Sequence, residues 1–400
     1  MDLMPMTNPI QHYDWGSTTA IPRLLGREDL EGTPCAELWM GAHPRSPSTV
    51  HTDVGDRLLS ELIAEDPEGI LGRDVARRFG AAMPFLFKIL AAERALSIQS
   101  HPRKDQADAG FAREDAEGIP RDAYHRNYRD RNHKPELITA LTEFWALRGF
   151  RPVEEILAEF AGLSTVRGAV DSLSRDPGPR GLAAFFRRLM TLEDDANARL
   201  LEEAQERFGD SDEPHHRWIA ELRAQHGNDI GVLAPLYLNC IRLQPGEALF
   251  LPAQTLHAYL SGVGVEVMAN SDNVLRGGLT TKHVDVAELL SSLVFTAERP
   301  PVLHPEPDED PGVELFRAGA EEFDLRRVAV TPERERILRG RHSPRILLCT
   351  EGSVTARAHE AGDVPLQVSR GHSLFAGARA GGITLGGAGM VYVAGVPEAA

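Results

Sequence analysis

Two kinds of hydrophobic pattern divide the first part of this chain into segments with different predicted structures. Residues 83–90 are apolar on both faces except for one lysine, which predicts a strand buried on both sides. Residues 96–102 alternate instead, so that every second side chain lies on the same face. Residues 132–138 and 144–150 are also strand-like, and Pro135 places the first of them at a sheet edge or at its own start. The pattern therefore predicts a β-sheet.

A change of period marks the middle of the chain. Residues 103–130 are polar and predict a long loop with a short helix over 106–113, which is typical of a functional loop or lid. The hydrophobic spacing then becomes helical in four segments rich in Ala, Leu, Glu and Arg, namely residues 153–160, 181–192, 197–208 and 215–225. In the last of them, His215 and His216 are adjacent and cannot face one helix side, which favours a solvated surface over a metal site.

Strand patterns return after the helical segments. Residues 237–260 follow a rhythm of strand, Pro-Gly turn, strand, Pro turn and strand that is typical of a jelly roll. A linker rich in Pro, Asp and Glu occupies residues 300–311. Beyond it lie short predicted strands with glycine turns between them, at residues 323–330, 345–349, 352–358, 366–368, 373–376, 383–385 and 391–394. Residues 370–375 echo residues 244–250, which suggests a repeated module.

The predicted fold is mainly β with an α-helical insertion: two cupin (jelly-roll) β-barrel domains and one helical domain. Residues 1–150 and 235–300 are expected to form a discontinuous catalytic cupin domain. Residues 151–234 form the inserted helical domain. Residues 301–400 form a C-terminal cupin-like barrel without a metal site, because the repeated module has no histidine that matches His257.

Composition restricts the class of protein further. A chain of 400 residues is long enough for two or three domains. The net charge of −16, from 43 basic and 59 acidic residues, disfavours nucleic acid and anionic membranes as partners. The first six residues have neither the basic nor the apolar part of a signal peptide, and three distant cysteines form no disulfide framework. These features predict a cytoplasmic protein, which we also expect to be monomeric.

Lysine is rare in this sequence. The 43 basic residues include only four lysines: Lys88, Lys104, Lys134 and Lys282. Since arginine serves almost everywhere else, a lysine is expected where a compact or deprotonatable ammonium is needed. Lys88 lies on an otherwise apolar strand, so desolvation is expected to lower its pKa, although a salt-bridged core lysine is the alternative.

Four side chains on predicted strands could share one cation: Gln99, His101, Glu136 and His257. Two imidazoles, a carboxylate and an amide oxygen suit Zn²⁺ with an open position for water or substrate. Without the glutamine, the remaining three would form the two-His-one-carboxylate triad of iron(II) enzymes. Because these residues are far apart in sequence, their spacing alone does not show whether the four side chains meet at one point. It also does not decide between zinc and iron(II).

A series of motifs, in order from the N-terminus to about residue 290, resembles the type I phosphomannose isomerases. The motifs are residues 13–16 (YDWG), 87–90 (FKIL), 97–102 (SIQSHP), 132–137 (NHKPEL), 252–259 (PAQTLHAY) and 271–279 (SDNVLRGGL), with Lys282. The resemblance implies a zinc-dependent interconversion of mannose 6-phosphate and fructose 6-phosphate on a cupin barrel, a step that feeds mannose and GDP-mannose metabolism. It places one zinc ion per chain on Gln99, His101, Glu136 and His257.

Aldose–ketose isomerisation moves a proton between C1 and C2 through an enediol, which requires an acid–base group and stabilisation of negative charge. The resemblance marks Arg276 as the active-site arginine, and Lys88 and Asp272 are the other candidate catalytic residues. The side chains expected to bind substrate are Ser97, Lys134, Tyr259, Glu266, Lys282 and Trp15. The identity of the base stays open among the lysines and the carboxylates, and Trp15 could instead be a core residue.

The chain departs from the family pattern at three loop positions, with Gln254 where Gly is common, Gly277 where Ala is common and Thr281 where Pro is common. These changes affect loop stiffness and remove no charge. Two other functions remain as alternatives. An iron(II) cupin dioxygenase would give no role to Arg276, Lys282 or Lys134. A non-catalytic sugar-binding bicupin would not need the intact ligand set.

Overall fold

The computed structural model describes residues 3–359 and 364–398, so the extreme ends of the N-terminal and C-terminal segments discussed above, residues 1–2 and 399–400, lie outside it. The strands in chain order are β1 (Leu3–Thr7), β2 (Ile10–Gln11), β3 (Glu37–Met40), β4 (Thr49–Thr52), β5 (Gly55–Leu58), β6 (Phe85–Ala92), β7 (Ile98–Ser100), β8 (Glu136–Ala140), β9 (Phe144–Phe150), β10 (Leu238–Leu243), β11 (Ala248–Leu251), β12 (His257–Ala269), β13 (Leu275–Gly278), β14 (Glu306–Pro307), β15 (Val313–Phe316), β16 (Asp324–Val330), β17 (Arg336–Leu338), β18 (Arg345–Ala358), β19 (Leu366–Ser369), β20 (Ser373–Ala376) and β21 (Ile383–Gly395).

The helices are α1 (Ala20–Leu25), α2 (Leu59–Glu65), α3 (Pro67–Leu71), α4 (Arg73–Phe79), α5 (Lys104–Ala116), α6 (Val153–Phe160), α7 (Arg167–Arg175), α8 (Pro179–Met190), α9 (Asp194–Phe208), α10 (Pro214–His226), α11 (Ala234–Tyr237) and α12 (Val286–Ser292). The four helical segments predicted from the sequence correspond to α6, α8, α9 and α10, and the short helix predicted over 106–113 is longer, as α5. Among the described residues, no helix combines the length and the apolar composition that a membrane crossing requires.

The first of two large antiparallel sheets, here called sheet I, contains ten strands drawn from β2, β3 and β6–β13. Its longest strand, β12, pairs with β7 and β9 near its start and with β6 and β8 near its end. The change of partners occurs around Gly262, which has a φ of +120°. A Cβ there would meet the carbonyl oxygen of Glu143 at 2.6 Å, so the approach of the two chains excludes a side chain. One strand thereby carries both His257 and Glu266.

The second sheet, sheet II, has eleven strands and joins the two ends of the described chain. β1 lies between β20 and β4, and β5 pairs with β4 at the margin. The other strands of sheet II all follow residue 305. The N-terminal segment therefore contributes three strands to the sheet built from the C-terminal part of the chain.

The two sheets share a hydrophobic core. Phe85 and Phe87 of β6, both fully buried, pack in the same cluster as Phe316, Ile346 and Phe375 of sheet II. A second core lies between sheet I and the helices α6–α10, where the ring of Phe150 meets the ring of Phe186 edge-on, with centroids 5.5 Å apart. Burying both faces of β6 explains why its sequence is apolar throughout.

The prediction of many short C-terminal strands was wrong in one respect. Residues 345–349 and 352–358 belong to the single strand β18, and residues 383–385 and 391–394 belong to the single strand β21. These two strands pair with each other over most of their lengths, with one irregularity in register after Cys349. The glycines that suggested turns lie in the ladder instead, and the partner strand that holds them extended is not visible in the local sequence.

Candidate metal centre

Three buried side chains from three strands of sheet I converge on one point. His101 directly follows β7, Glu136 begins β8, and His257 begins β12. Their ligand atoms lie within 4.8 Å of one another, with 3.3 Å between His101 Nε2 and Glu136 Oε1 and 3.4 Å between His257 Nε2 and Glu136 Oε2. Both Nε2 atoms and Glu136 Oε2 are buried without a hydrogen-bond partner. Such orphaned atoms are costly unless a cation joins them, so the group fits a metal ion.

The other nitrogen of each imidazole is held by the backbone. His101 Nδ1 lies 2.7 Å from the carbonyl oxygen of Asn273, and His257 Nδ1 lies 2.9 Å from that of Thr255. A carbonyl oxygen only accepts, so each Nδ1 carries the proton and donates it. Each Nε2 therefore keeps a free lone pair that points at the other ligand atoms, which is the arrangement that metal-binding histidines use.

Gln99 reaches the same side of the sheet through strand register. It is paired directly with His257 of β12 on one side and with Arg276 of β13 on the other. Directly opposed residues of an antiparallel pair project to the same face. Gln99, the expected fourth ligand, therefore lies between His257 and Arg276, the expected active-site arginine, on one face of the sheet.

Lys134 supplies positive charge to the ligand group. Its Nζ is 2.9 Å from Glu136 Oε1. Burial alone would raise the pKa of Glu136, but the charge of Lys134 and the contacts with the two histidines keep that pKa well below the usual value. Burial, together with the charge of Lys134, lowers the pKa of His101 to about 4. At neutral pH the ligands are a carboxylate and a neutral imidazole, the forms that bind metal.

Lys88 is a buried, paired ammonium, so the expectation of a lowered pKa was wrong. Its Nζ lies 3.0 Å from Glu266 Oε2 and 3.2 Å from Glu37 Oε1. Desolvation by itself lowers the pKa, but the charges of Glu266, Glu37 and Glu136 outweigh it and raise the pKa above the ordinary value. Trp39 Nε1 donates to the other oxygen of Glu37 at 2.7 Å, which fixes that carboxylate. Lys88 therefore carries its charge throughout the neutral range.

Glu266 connects Lys88 to Tyr259. The Tyr259 hydroxyl donates to Glu266 Oε1 at 2.9 Å, and both side chains are buried. Burial, followed by the charge of Glu266, raises the pKa of Tyr259 well above its usual value. Burial also raises the pKa of Glu266, which the charge of Lys88 opposes. Three titratable groups of the expected site thus form one continuous hydrogen-bonded line.

Asp272 lies at the edge of this region, beside residues that the sequence did not suggest. Arg45 donates to its Oδ1 at 3.1 Å, and His43 Nε2 is 3.6 Å from the same oxygen. Its backbone N–H donates to Asp130 at 2.7 Å, which holds the loop in place. His43, Asp130 and Asp272 line a cleft of about 770 Å³, together with Arg129 and Asn132, a volume ordinary for a small-molecule site.

A group of cations occupies the same region. Burial lowers the pKa of Arg276, with a further contribution from the nearby charge of Arg129. Burial, Arg276, Arg129 and Arg45 together lower the pKa of Lys282. In the described part of the chain, no carboxylate lies within 4.0 Å of the charged nitrogens of Arg276, Lys282 or Arg129. An anionic group on a ligand would relieve their mutual repulsion.

Trp15 and Ser97 are two further residues expected to bind substrate. Trp15 is partly buried against the cluster that contains Tyr259, and its ring stacks on Tyr13 with centroids 5.7 Å apart. Ser97 is partly buried immediately before β7. The pocket and core interpretations of Trp15 are therefore compatible, since a single ring can serve both.

Sequence reasoning missed Glu37, Trp39, His43, Arg45 and Arg129. Alternation along β3 does indicate that Glu37 and Trp39 share a face. However, the contact with Lys88 depends on the register between β3 and β6, in which Trp39 is paired with Lys88. Nothing in the local sequence indicates that register, so the structure was needed to place Glu37 and Trp39 beside Lys88.

Comparison with known proteins assigns the chain to a family. Residues 3–153 match the family model described as phosphomannose isomerase type I, catalytic domain. The mannose-6-phosphate isomerase of Escherichia coli (strain K12) is 39% identical over 97% of this chain and 98% of its own length. The chain belongs to the type I phosphomannose isomerases. Within that family, the human mannose-6-phosphate isomerase is 34% identical over 94% of this chain and 93% of its own length.

Solved phosphomannose isomerases have the same overall structure. A zinc-bound holo mannose 6-phosphate isomerase superposes with a TM-score of 0.93 at 36% identity, covering 100% of both chains. The enzyme from Salmonella typhimurium, bound to fructose 6-phosphate and zinc, has a TM-score of 0.92 at 35% identity, again over 100% of both chains. The buried ligand group of the present phosphomannose isomerase chain has the donor types that zinc prefers.

Proposed function

We propose that this chain is a zinc-dependent isomerase that interconverts D-mannose 6-phosphate and D-fructose 6-phosphate. One observation carries the proposal: the orphaned ligand atoms of His101, Glu136 and His257 meet in a buried centre of a chain that aligns end to end with mannose-6-phosphate isomerases. Lys134 and Arg276 beside that centre supply the positive charge that a sugar phosphate requires.

We assign the metal ligands to His101, Glu136 and His257, with Gln99 as the fourth. When bound, a zinc ion polarises the substrate oxygens as a Lewis acid. Glu136 is held by Lys134, so its orientation does not depend on the ion.

The protein groups near Lys88 suit proton transfer between C1 and C2. Since Lys88 stays charged, we assign it to stabilising the enediolate oxygen and donating a hydrogen bond, rather than to removing the proton. A carboxylate is then the base. Glu266 has a raised pKa, which strengthens it as a base, while Asp272 lies at the cleft and is oriented by Arg45. Both remain assigned as acid–base residues of the site.

The phosphate is proposed to bind the cation group formed by Arg276, Lys282 and Arg129. Arg276 remains charged at any physiological pH, so it can also stabilise the enediolate. We assign Lys134 to the sugar hydroxyls because it lies beside the metal ligands rather than in that group. The remaining proposed substrate contacts are Ser97, Tyr259 and Trp15.

We further propose that the two antiparallel sheets are cupin barrels, with the domains at the boundaries given above: a discontinuous catalytic domain (1–150 and 235–300), a helical insertion (151–234) and a C-terminal barrel (301–400). The bulged, partner-changing strand β12 and the helices between β9 and β10 support this division. β1, β4 and β5 then act as strands exchanged into the C-terminal barrel.

A cytoplasmic location and a monomeric state complete the proposal. The acidic net charge of −16 and the small-molecule substrate are compatible with both. Gel filtration coupled to light scattering checks the second: a mass near 43.9 kDa is expected, and twice that mass would contradict it.

A coupled assay on mannose 6-phosphate tests the central proposal. The zinc-loaded protein is expected to form fructose 6-phosphate, a chelator to abolish the activity, and zinc to restore it. The same rate is expected without oxygen, because no oxidation occurs. The variant His257→Gln is expected to lose both metal and activity.

The matched control is His304→Gln, which changes an exposed histidine whose side chain retains 69% of its accessibility. It should keep full activity and metal content. Absence of turnover by the zinc-loaded wild type would overturn the proposal, and dependence of the rate on oxygen would favour an iron dioxygenase.

A further inference from the structure

A second group of metal-ligating side chains lies in the helical region. Glu159, near the end of α6, faces His215 and His216 in the first turn of α10. One ligand atom from each of the three lies within 4.8 Å of the others. The side chains retain only 11–17% of their accessibility, so the solvated face expected for the two histidines was wrong.

The two adjacent histidines contact one carboxylate because each imidazole ring meets a different oxygen of Glu159. His215 Nε2 is 2.8 Å from Glu159 Oε1, and His216 Nε2 is 2.8 Å from Glu159 Oε2. Their ring centroids are 4.0 Å apart. In a tetrahedral zinc site with bonds of about 2.0 Å, ligand atoms are roughly 3.3 Å apart. Small side-chain rotations therefore convert the hydrogen-bonded group into a coordinating one.

The surroundings of His216 support either state. Its Nδ1 lies 2.7 Å from the hydroxyl of Ser211, and its ring stacks on Phe208 with centroids 4.2 Å apart. A hydroxyl both donates and accepts. Ser211 can therefore accept from Nδ1–H when Nε2 coordinates a metal, and donate to Nδ1 when Nε2–H bonds to Glu159. A second partner of this kind is what orients metal-binding histidines.

The protonation states at neutral pH suit a cation. Burial by itself would raise the pKa of Glu159, but the hydrogen bonds from the two histidines hold it at about 2. Burial lowers the pKa of His216, which keeps that imidazole neutral. Arg151 lies 3.3 Å from Glu159 Oε1, yet it also donates twice to Glu155, so its charge is shared between two carboxylates.

We propose that Glu159, His215 and His216 form a second divalent-metal site, of the zinc class, that fastens α6 to α10. Two imidazole nitrogens and one carboxylate oxygen are intermediate ligands, which favour zinc over calcium or magnesium. The site joins helices whose ligands are 56 residues apart. A metal that binds only the folded state stabilises it by mass action. The site is structural and independent of the catalytic centre.

Zinc content after equilibrium dialysis of chelator-stripped full-length protein tests the proposal. The wild type is expected to bind two zinc ions per chain. The variant His215→Gln/His216→Gln, which keeps side-chain donors for Glu159, should bind one and remain fully active. The variant His101→Gln/His257→Gln should retain one zinc ion, and added zinc should raise its melting temperature.

His226→Gln is the matched control, because His226 belongs to the same helix but lies about 15 Å further along it. That variant should bind two zinc ions. One zinc ion per wild-type chain, or none in His101→Gln/His257→Gln, would overturn the second site. The latter variant leaves the helical group intact, so the test holds even if the other double variant fails to fold. Absence of isomerase activity in the wild type would contradict the proposed function and leave the second metal site unaffected.

Discussion

At the scale of single residues, buried charges in sheet I are compensated over short distances. The Lys88 ammonium lies within 3.2 Å of two carboxylates, and Trp39 and Tyr259 donate to the same two groups. Removing one partner from such a set leaves an uncompensated charge in an apolar environment, which costs far more than the pair contributes. The arrangement keeps the site rigid before substrate arrives.

His43 provides a test of this compensation by pH. Burial, followed by the charges of Lys88 and Arg45, lowers its pKa to about 4, against the opposing effect of Asp272. The unfolded chain takes up a proton below about pH 6.5, and the folded protein does so only near pH 4, so acid favours unfolding in that window. We expect the wild type to lose about 3 kcal/mol more of its unfolding free energy between pH 7 and pH 4 than His43→Asn.

Urea denaturation of the two proteins at both pH values measures this difference. The metal ligands titrate equally in both, so their effect cancels in the comparison. His304→Asn, at an exposed position, should behave as the wild type. Identical acid sensitivity of His43→Asn and the wild type would show that His43 is not held neutral.

Arg129 offers a test of phosphate binding. Its backbone N–H donates to the side chain of Asn273 at 2.7 Å, which places it beside Arg276 and Lys282. Since a hydrogen bond to a charged group contributes about 1.5–3 kcal/mol, Arg129→Ala is expected to lower kcat/KM for the sugar phosphate roughly tenfold to a hundredfold, mainly through KM. Steady-state kinetics with both sugar phosphates provides the measurement.

Arg131→Ala is the matched control, because the exposed Arg131 pairs with Asp108 outside the cation group. Its kinetic constants should stay close to those of the wild type. An equal loss in both variants would indicate a general effect of net charge rather than a phosphate contact.

At the scale of elements, the short strand β13 determines where Arg276 points. Its last residue, Gly278, has a φ of +130°, and a Cβ there would lie 2.9 Å from Asp229 Oδ1 and 3.0 Å from Gly231 Cα. Asp229 accepts from the backbone of Gly231 and Leu279, so it cannot move away without losing those bonds. The backbone conformation and the close approach both require glycine at this position.

Two adjacent alanine variants test this requirement. Gly278→Ala is expected to lower the unfolding free energy by about 1–3 kcal/mol. Gly277→Ala, whose Cβ would meet three aliphatic side-chain carbons at 3.3 Å, should stay within about 1 kcal/mol of the wild type. Urea unfolding curves decide between them, and equal stabilities would contradict the argument.

At the scale of the whole molecule, the two sheets depend on each other for folding. β1 is inserted between β20 and β4, and the aromatic side chains of β6 pack in one cluster with those of sheet II. Sheet II and the hydrophobic core shared by the two sheets cannot be completed without residues from both parts of the chain. Removing the C-terminal part would expose unpaired strand edges and a large apolar surface.

Calorimetry tests this coupling. The zinc-loaded full chain is expected to unfold in a single transition, and residues 1–300 expressed alone are expected to lack a cooperative one. Restoring residues 301–400 as a separate chain should recover cooperative unfolding only when the two chains associate. Two well-separated transitions in the full chain would show that the sheets fold independently.

The expected family and the zinc-dependent isomerase chemistry are confirmed. Both could be predicted from the sequence because the motifs that indicate them are long. Hydrophobic period identified the strands and helices, since it records which face of an element is buried. It also placed Gln99 and His101 on one strand face. The types of metal ligand followed from the same stretches.

Only the tertiary structure decided which residues meet. The convergence of His101, Glu136 and His257 depends on strand register over long sequence separations, and the raised pKa of Lys88 depends on carboxylates from three other strands. The same holds for β1 in sheet II and for His215 beside Glu159. The local sequence indicates which face of a strand or helix is buried. Strand pairing and the electrostatic environment of a side chain depend also on the segment that packs against it, which a local pattern does not specify.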